Sequence, residues 1–264
     1  MKPVLQFLAF GVLIAGGIYA AICGLLYVSQ RSYIYYPVAR TVDVPSFVLQ
    51  RDDARIVVSF NDVASSDAVL YFGGNAEDVS GTIGSLSRAF PGAAVYAMHY
   101  RSYGGSGGSP SERALIDDAG ALYDLIAKTH PKILVIGRSL GSGIAVQIAA
   151  SKRIDRLVLV TPYDSLAELA RRQFRLFPVR LLLRDKYESW RYASRVSVPT
   201  TIVVAGNDWI IPNDSSKRLA AAFPPGIVAF VRIPAADHNN VSDFPRYLQA
   251  LSGESAPTDS SALE

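Results

Sequence analysis

The chain has 264 residues, of which 50% are hydrophobic and 19% are charged, with a formal net charge of +3. This length accommodates one large α/β domain with an appendage. The charge is too small to indicate a nucleic-acid partner, and no basic stripe interleaved with aromatic residues is present. The single cysteine, Cys23, excludes an intrachain disulfide, and three histidines without Cys/His ligand spacing argue against a metal site.

The N-terminal segment predicts a membrane anchor. Val4 to Val28 is a run of 25 residues without a charge, with Lys2 before it and Arg31 after it. At about 1.5 Å per residue, such a helix spans a hydrocarbon core of about 30 Å. We therefore assign residues 1–31 to a single-pass transmembrane helix. A cleaved signal peptide is the alternative, which the length of the run and the lack of an A-x-A-like site disfavour.

Two further properties of the anchor stay open. Gly16, Ala20 and Gly24 recur at every fourth position, a spacing that lets two membrane helices pack closely. Dimerisation through the anchor is therefore one hypothesis, although small residues are common in any membrane helix. Positive charges are nearly balanced between the two ends of the anchor, so the side of the membrane that carries the rest of the chain is undetermined.

Downstream of the anchor, apolar strands alternate with helical patterns, which is typical of a mainly parallel sheet with helices on both faces. Residues 32–252 thereby form one α/β domain, and the small, polar segment 253–264 is predicted to be a disordered tail. Residues 42–60 contain two short strands, and the other predicted strands are Ala68–Phe72, Ala94–His99, Lys132–Gly137, Arg156–Thr161, Thr200–Ala205 and Ile227–Ile233. The predicted helices are Asp78–Phe90, Ser111–Thr129, Gly141–Lys152, Ser215–Phe223 and Val241–Leu251.

Two segments add detail to this pattern. Ser109 followed by Pro110 and, at the third position, Glu112 predicts a helix start with Ser109 as the cap and a capping box. The 37 residues of 162–198 interrupt the alternation at a place where insertions lie over the carboxyl ends of the strands, so we interpret them as a small cap. The arginines of this cap either hold it against an anionic membrane surface or form a solvated helix face.

Residues 133–141 carry the most informative motif of the chain. A β-branched apolar run leads into Gly137-x-Ser139-x-Gly141, and a helical pattern follows. Such a strand–turn–helix elbow holds its serine in a strained backbone conformation with the hydroxyl exposed at the end of a sheet. Glycines flank the serine because a Cβ at either position would collide with the neighbouring strand or helix. We predict that Ser139 is a nucleophile, with a helix-capping serine as the alternative.

A serine hydroxyl needs a base to take its proton and a third group to orient that base. Asp208 comes directly after the strand at 200–205, and His238 comes after the strand at 227–233. Both therefore lie at the same edge of the sheet as Ser139. We predict that Asp208 is the orienting acid and that His238 is the base.

Each of these assignments has an alternative. Asp208 stands in a turn after a strand, where an aspartate often bonds only its own backbone. Asp164 also follows a strand end and is the reserve acid. For the base, the other two histidines are the alternatives. His99 lies at the end of a predicted strand, and His130 lies at the C-terminal end of a predicted helix, where a positive charge interacts favourably with the helix dipole. Only His238 lies in a loop at the correct edge after both other members of the site.

Acyl transfer also needs hydrogen-bond donors for the oxyanion that develops on the substrate. The residue after a nucleophile of this type supplies one backbone N–H, which is that of Leu140. A loop after an earlier strand supplies the other, and the glycine-containing segment 71–75 makes Asn75 the candidate. A simple glycine turn is the alternative explanation of this segment.

Taken together, these motifs resemble the α/β-hydrolase superfamily, and within it the branch of single-pass, membrane-anchored serine hydrolases. The matching segments cover most of the chain in the family's order: the anchor with residues 33–37, and residues 74–76, 100–106, 109–112, 137–141, 161–165 and 206–208. The resemblance implies an eight-stranded hydrolase sheet, no metal or organic cofactor, and hydrolysis of carboxylic esters, thioesters or amides through an acyl-enzyme. It implies the roles of nucleophile, acid and base for Ser139, Asp208 and His238. One departure is Gly73, which stands where the branch commonly has a histidine.

The sequence therefore favours a membrane-anchored serine hydrolase that acts on an acyl ester or thioester. A lipid-linked acyl group is one candidate substrate because the anchor holds the site near a bilayer. A serine exopeptidase with the same machinery is the first alternative. The second is a hydrolase-like scaffold that binds a partner without catalysis, which the Gly73 departure motivates, since fold alone does not fix function. The expected partners are an acyl substrate and the membrane, and no nucleic acid.

Overall fold

The computed structural model describes residues 2–253 and shows a long N-terminal helix followed by an eight-stranded sheet. The strands are β1 (Ser46–Gln50), β2 (Arg55–Phe60), β3 (Asp67–Phe72), β4 (Ala94–Met98), β5 (Lys132–Arg138), β6 (Arg156–Val160), β7 (Thr200–Ala205) and β8 (Val228–Ile233). Their order in the sheet is β1-β2-β4-β3-β5-β6-β7-β8. β2 pairs antiparallel with both of its neighbours, β1 and β4, and the other neighbouring strands pair parallel. The predicted fold class is confirmed. The predicted tail lies outside the described residues, apart from Gly253.

The helices cover both faces of the sheet and enclose two hydrophobic cores. They are α1 (Lys2–Ile34), α2 (Ile83–Ala89), α3 (Glu112–Ile126), α4 (Leu140–Ser151), α5 (Leu166–Gln173), α6 (Val179–Leu182), α7 (Trp190–Ala193), α8 (Asn213–Ala221) and α9 (Pro245–Ser252). The core on one face includes Leu122 of α3 and Ile144 of α4. The core on the other face includes Leu86 of α2 and Leu251 of α9. Burial on both faces explains why the central strands read as continuous Val/Ile/Leu runs rather than as alternating patterns.

The register of the parallel strands places the loops of interest side by side. Phe72, the last residue of β3, is aligned with Gly137 of β5. The glycine-containing loop after β3 is therefore adjacent to the elbow after β5. The chain segments that follow β7 and β8 emerge from the same edge, since these strands run parallel to β5 through β6.

The N-cap of helix α3 lies two residues after the predicted one. Ser111, not Ser109, is the N-cap, and its side chain accepts a hydrogen bond from a backbone N–H in the first turn. The carboxylate of Glu112 accepts hydrogen bonds from the N–H groups of Lys186 and Tyr187 instead of closing a capping box. The predicted capping box is wrong because a contact with a segment more than 70 residues away determines the orientation of Glu112.

Helix α1 is the longest element, with 33 residues, and it is long and apolar enough to cross a membrane. This is consistent with the predicted anchor, and a signal sequence near the N-terminus passes the same test of length and composition. The end of α1 is part of the domain, because Ile34 and the following Tyr35 are buried in the core. Gly16 and Gly24 face open space among the described residues, and dimerisation through them stays a prediction.

The segment 162–198, which we call the cap segment, carries the three short helices α5, α6 and α7. Helix α6 contacts both α5 and α1, whereas α7 packs against α4 and α8. The cap segment therefore bridges the N-terminal helix and the helix that follows the elbow.

Candidate active site

Ser139 occupies a sharp turn between β5 and α4, with φ of 49° and ψ of −117°. Positive φ is uncommon for residues other than glycine and indicates a backbone held under strain by its surroundings. A Cβ on Gly137 would lie 2.5 Å from the carbonyl oxygen of Gly141, and a Cβ on Gly141 would collide with the carbonyl oxygen of Phe72. Both glycines are thus required by close backbone approach, as the sequence motif indicates. The N–H of Ser139 donates to the carbonyl of Val160 on the neighbouring strand, at 2.9 Å.

The three residues predicted for the reaction form one hydrogen-bonded chain. The Nε2 atom of His238 lies 2.9 Å from the Oγ atom of Ser139, and its Nδ1 atom lies 2.8 Å from Oδ2 of Asp208. Oδ1 of Asp208 accepts hydrogen bonds from the N–H groups of Ile210 and Ile211, which fix the carboxylate. An ionised Asp208 only accepts hydrogen bonds, so Nδ1 of His238 carries the proton and Nε2 is left to accept the Ser139 hydroxyl.

The second predicted feature is the pair of N–H donors from Asn75 and Leu140. A Cβ on Gly74 would lie 3.5 Å from Cβ of Ser139, so the 73–76 loop lies next to the serine. Within residues 2–253, neither the N–H of Asn75 nor that of Leu140 donates a hydrogen bond. The side chain of Asn75 donates to the carbonyl of Ile34 at 3.1 Å and so ties the loop to the end of α1.

Gly73 fits its position because a side chain there has no space. A Cβ on Gly73 would lie 2.5 Å from Cγ1 of Val79. The carbonyl of Gly73 accepts a hydrogen bond of 2.6 Å from the hydroxyl of Tyr100, which is buried. Tyr100 therefore holds the loop at Gly73, the position at which the family resemblance implies a histidine.

A largely buried ion pair supports the same loop from its other side. Glu77 accepts a hydrogen bond of 2.7 Å from the N–H of Gly74 and pairs with Arg138 at 3.0 Å. Arg138 also donates to the carbonyl of His238 at 3.3 Å. Burial opposes the charge of Arg138, but the Coulombic attraction and hydrogen bond of Glu77, together with the nearby Tyr71 and Tyr247, outweigh it and raise the pKa of the guanidinium above its ordinary value. The pair thus links the Gly74 loop to the loop that carries the histidine.

Sequence reasoning did not identify Tyr100, Glu77 or Arg138 as supports of the site. Arg138 is the variable position of the elbow motif, and Tyr100 lies in a segment that resembles the family. No local pattern at either position identifies its partner, because each partner is distant in the sequence. Arg138 and Glu77 are 61 residues apart, and Tyr100 and Gly73 are 27 residues apart.

The alternative candidates for the base and the acid have hydrogen-bond or ion-pair partners outside the Ser–His–Asp site. Nε2 of His99 lies 2.8 Å from the hydroxyl of Ser59, and burial lowers the pKa of His99 to about 4. His130 contacts a backbone oxygen at the end of α3, at 3.0 Å. Asp164 pairs with Arg218 at 2.6 Å. Within residues 2–253, no group of three or more His, Cys, Asp and Glu side chains is placed to hold a metal ion.

A mainly parallel eight-stranded sheet with a Ser–His–Asp chain beyond the carboxyl ends of its strands defines a protein of the α/β-hydrolase type. The chain is 32% identical over 255 residues to an uncharacterized protein of Mycobacterium tuberculosis. The aligned region covers 89% of this chain and 88% of the relative. It is 30% identical over 185 residues to the lysophosphatidylserine lipase ABHD12 of Danio rerio, covering 59% of this chain and 47% of that protein. No family model matches the chain.

The structure is similar to that of the esterase Pf2001 of Pyrococcus furiosus, with a TM-score of 0.65 and 18% sequence identity. The similarity covers 83% of this chain and 94% of the esterase, and at this identity it shows the fold. The chain belongs to the α/β-hydrolase superfamily.

Proposed function

We propose that the protein is a membrane-anchored serine hydrolase that cleaves carboxylic esters or thioesters through an acyl-enzyme. The observation that carries the proposal is the hydrogen-bonded chain from Ser139 through His238 to Asp208. An isolated serine hydroxyl is a weak nucleophile, and this arrangement supplies both a proton acceptor and a group that orients it.

In the acylation step, Oγ of Ser139 attacks the carbonyl carbon of the substrate while Nε2 of His238 takes the hydroxyl proton. Asp208 stabilises the imidazolium that forms. The N–H groups of Asn75 and Leu140 donate to the oxyanion of the tetrahedral intermediate. The intermediate collapses when the bond to the leaving alcohol or thiol breaks, and His238 gives its proton to that leaving group.

In the deacylation step, His238 takes a proton from a water molecule, and the resulting hydroxide attacks the carbonyl carbon of the acyl-enzyme. Collapse of the second intermediate returns the proton from His238 to Oγ of Ser139 and releases the carboxylic acid. Each atom of the cycle is supplied by the chain, the substrate or water.

Two observations support a lipid-linked acyl substrate within this class. The relative from Danio rerio is named a lysophosphatidylserine lipase. Helix α1 has the length and composition of a membrane span, and its end is bonded to the Asn75 loop of the site. A single-pass anchor would hold this site next to a bilayer, where such substrates reside.

The proposal is tested by labelling the full chain, in membranes, with a fluorophosphonate probe. We expect labelling of the wild type and its loss in Ser139→Ala and in His238→Ala. Ser151→Ala, at the end of α4, is the matched control and should label like the wild type. A folded wild-type protein that stays unlabelled would favour the non-catalytic scaffold.

Substrate comparison separates the remaining alternative from the proposal. Matched ester, thioester and amino-acyl amide substrates are compared by kcat/KM with the same preparation. Higher values for the esters or thioesters support the proposal, and a clear preference for the amino-acyl amide identifies an exopeptidase.

A further inference from the structure

An apolar groove separates the second half of α1 from the cap segment. We call it the anchor–cap groove, and its volume is about 350 Å³. Its walls include Leu26 and Ile34 of α1, Leu169 of α5, Leu182 of α6 and Ile210. None of the described residues that line it carries a charge. Such a groove favours a hydrocarbon ligand over a polar one, because burial of apolar surface drives binding.

One end of the groove is bonded to the Ser–His–Asp site. The carbonyl of Ile34 accepts the hydrogen bond of the Asn75 side chain at 3.1 Å. The N–H of Ile210 donates to Oδ1 of Asp208 at 2.9 Å. The groove therefore adjoins the loop and the carboxylate of the site.

The other end of the groove lies where α1 enters a bilayer. The 33 residues of α1 extend about 50 Å, whereas a hydrocarbon core is about 30 Å thick. About a dozen residues of α1 therefore project from the membrane. Contacts between α1 and the cap segment begin at Tyr19, whose ring stacks on Phe177 and whose hydroxyl donates to the carbonyl of Leu176. If about the first 20 residues of α1 form the span, the part of the cap segment around Leu176, which we call its tip, lies at the membrane surface.

The surface of this tip has the composition of a membrane-binding segment. Leu176 is 83% exposed and Leu181 is 84% exposed, although both are large and apolar. Arg175 and Arg180 are their sequence neighbours. Apolar side chains that enter the acyl boundary, with arginines at the level of anionic headgroups, are typical of interfacial segments.

Polar contacts fix α1 to the cap segment. Helix α1 is therefore a wall of the groove in addition to anchoring the chain in the membrane. Arg31 pairs with Asp185 at 2.8 Å. The side chain of Gln30 donates to the carbonyl of Leu182 at 3.1 Å and accepts from the N–H of Arg184 at 2.6 Å. These three contacts define the separation of the two walls.

We propose that the anchor–cap groove binds one acyl chain of a membrane lipid ester and delivers its carbonyl to Ser139 from the bilayer. The inference rests on the proposed hydrolase function and adds its substrate class. From Leu26 to Ile34 the groove extends roughly 12 Å along α1, the length of roughly ten extended chain carbons. Long-chain esters therefore gain binding from the groove that short-chain esters do not.

The test fills the groove in the full-length protein and compares two substrates in detergent micelles. Leu26→Trp places a bulky ring in the groove, and Leu25→Trp places the same ring at a neighbouring position that is 67% exposed. We expect Leu26→Trp to lower kcat/KM for p-nitrophenyl palmitate about tenfold or more, because each excluded methylene costs about fourfold. Its kcat/KM for p-nitrophenyl acetate should stay within about twofold, and Leu25→Trp should affect neither.

Ala170→Leu narrows the same groove from the cap side and must give the same selectivity, which covers the case that Leu26→Trp does not fold. Equal losses for both esters in the groove variants, or equal effects of Leu25→Trp and Leu26→Trp, would overturn the inference. Failure of the proposed function is a different result: the wild type would then hydrolyse neither ester and would not react with a fluorophosphonate.

Discussion

The Ser–His–Asp site and the anchor–cap groove are held together by different means. Ser139 lies in an elbow whose flanking glycines have no space for a Cβ, and the side chains of its partners His238 and Asp208 are almost completely buried. The groove is formed by segments that meet through polar contacts near the protein surface. In the Arg31–Asp185 pair, for example, the Arg31 side chain is 35% exposed.

This difference follows from what each region must do. Proton transfer requires the reacting atoms at hydrogen-bond distance, so its supports are rigid and directional. Apolar burial is not directional and depends on area, so a groove for a hydrocarbon chain tolerates small displacements of its walls. We therefore expect substitutions in the first region to act on catalysis, and substitutions in the second to act on the choice of substrate.

The largest effect is expected for the acid of the site. In Asp208→Asn, the amide can donate to Nδ1 of His238 and favour the wrong tautomer, so kcat should fall by about 10³–10⁴. Asp164→Asn is the control, because Asp164 pairs with Arg218 outside the site, and its kcat should change only a few-fold. Steady-state hydrolysis of a short-chain ester measures both. Equal losses in the two variants would remove Asp208 from its proposed role.

The next effect concerns the elbow itself. Gly141→Ala places a Cβ against the carbonyl of Phe72 and should lower the free energy of unfolding by about 3 kcal/mol. Gly120→Ala, in the interior of α3 where a Cβ has ordinary contacts, should raise it by up to about 1 kcal/mol. Thermal unfolding of both variants in one detergent gives the comparison. A Gly141→Ala protein as stable as the wild type would contradict the steric account of the elbow.

A smaller effect is expected when the support of the Asn75 loop is weakened. Tyr100→Phe removes the hydroxyl that binds the Gly73 carbonyl, so kcat should fall about tenfold while KM stays within about twofold. Tyr123→Phe removes a comparable bond to the carbonyl of Arg153 far from the site, and its kcat should not change. If the two variants lose stability equally and kcat is unaffected in both, Tyr100 is only a structural residue.

The smallest effect is expected at the junction of anchor and cap. Asp185→Asn weakens the pair with Arg31 and should reduce stability by about 1 kcal/mol. The kcat/KM for a long-chain ester should fall about threefold while that for an acetate ester is unchanged. Arg171→Gln breaks an exposed pair within α5 and serves as the control. A loss for the acetate ester in Asp185→Asn would show that the two regions are not separable.

The local features of the fold could be read from the sequence with little error. Strands β5 and β7 begin and end within one residue of their predicted bounds, because continuous apolar runs and the following turns are local signals. The glycines of the elbow and the order of Ser139, Asp208 and His238 placed these three residues at one edge of the sheet. The structure brings them into contact.

Contacts between distant segments could not be read in this way. The predicted capping box of α3 is wrong because the carboxylate of Glu112 accepts a hydrogen bond from the backbone N–H of Lys186 in the cap segment. The pair of Glu77 with Arg138, and that of Arg31 with Asp185 across 154 residues, have no local pattern that identifies the partner. A charged residue in a sequence shows that it needs a partner or water, but not which of these it finds.

By itself, the sequence determined the strands, the elbow and the edge of the sheet that carries the reactive side chains, because hydrophobic period and backbone sterics act over a few residues. Only the tertiary structure decided the hydrogen-bonded alignment of the Ser–His–Asp chain, the supports of the Asn75 loop and the groove between α1 and the cap segment. These features depend on side chains that approach through space after the sheet has formed, and their energies are set by distance and burial rather than by position in the chain.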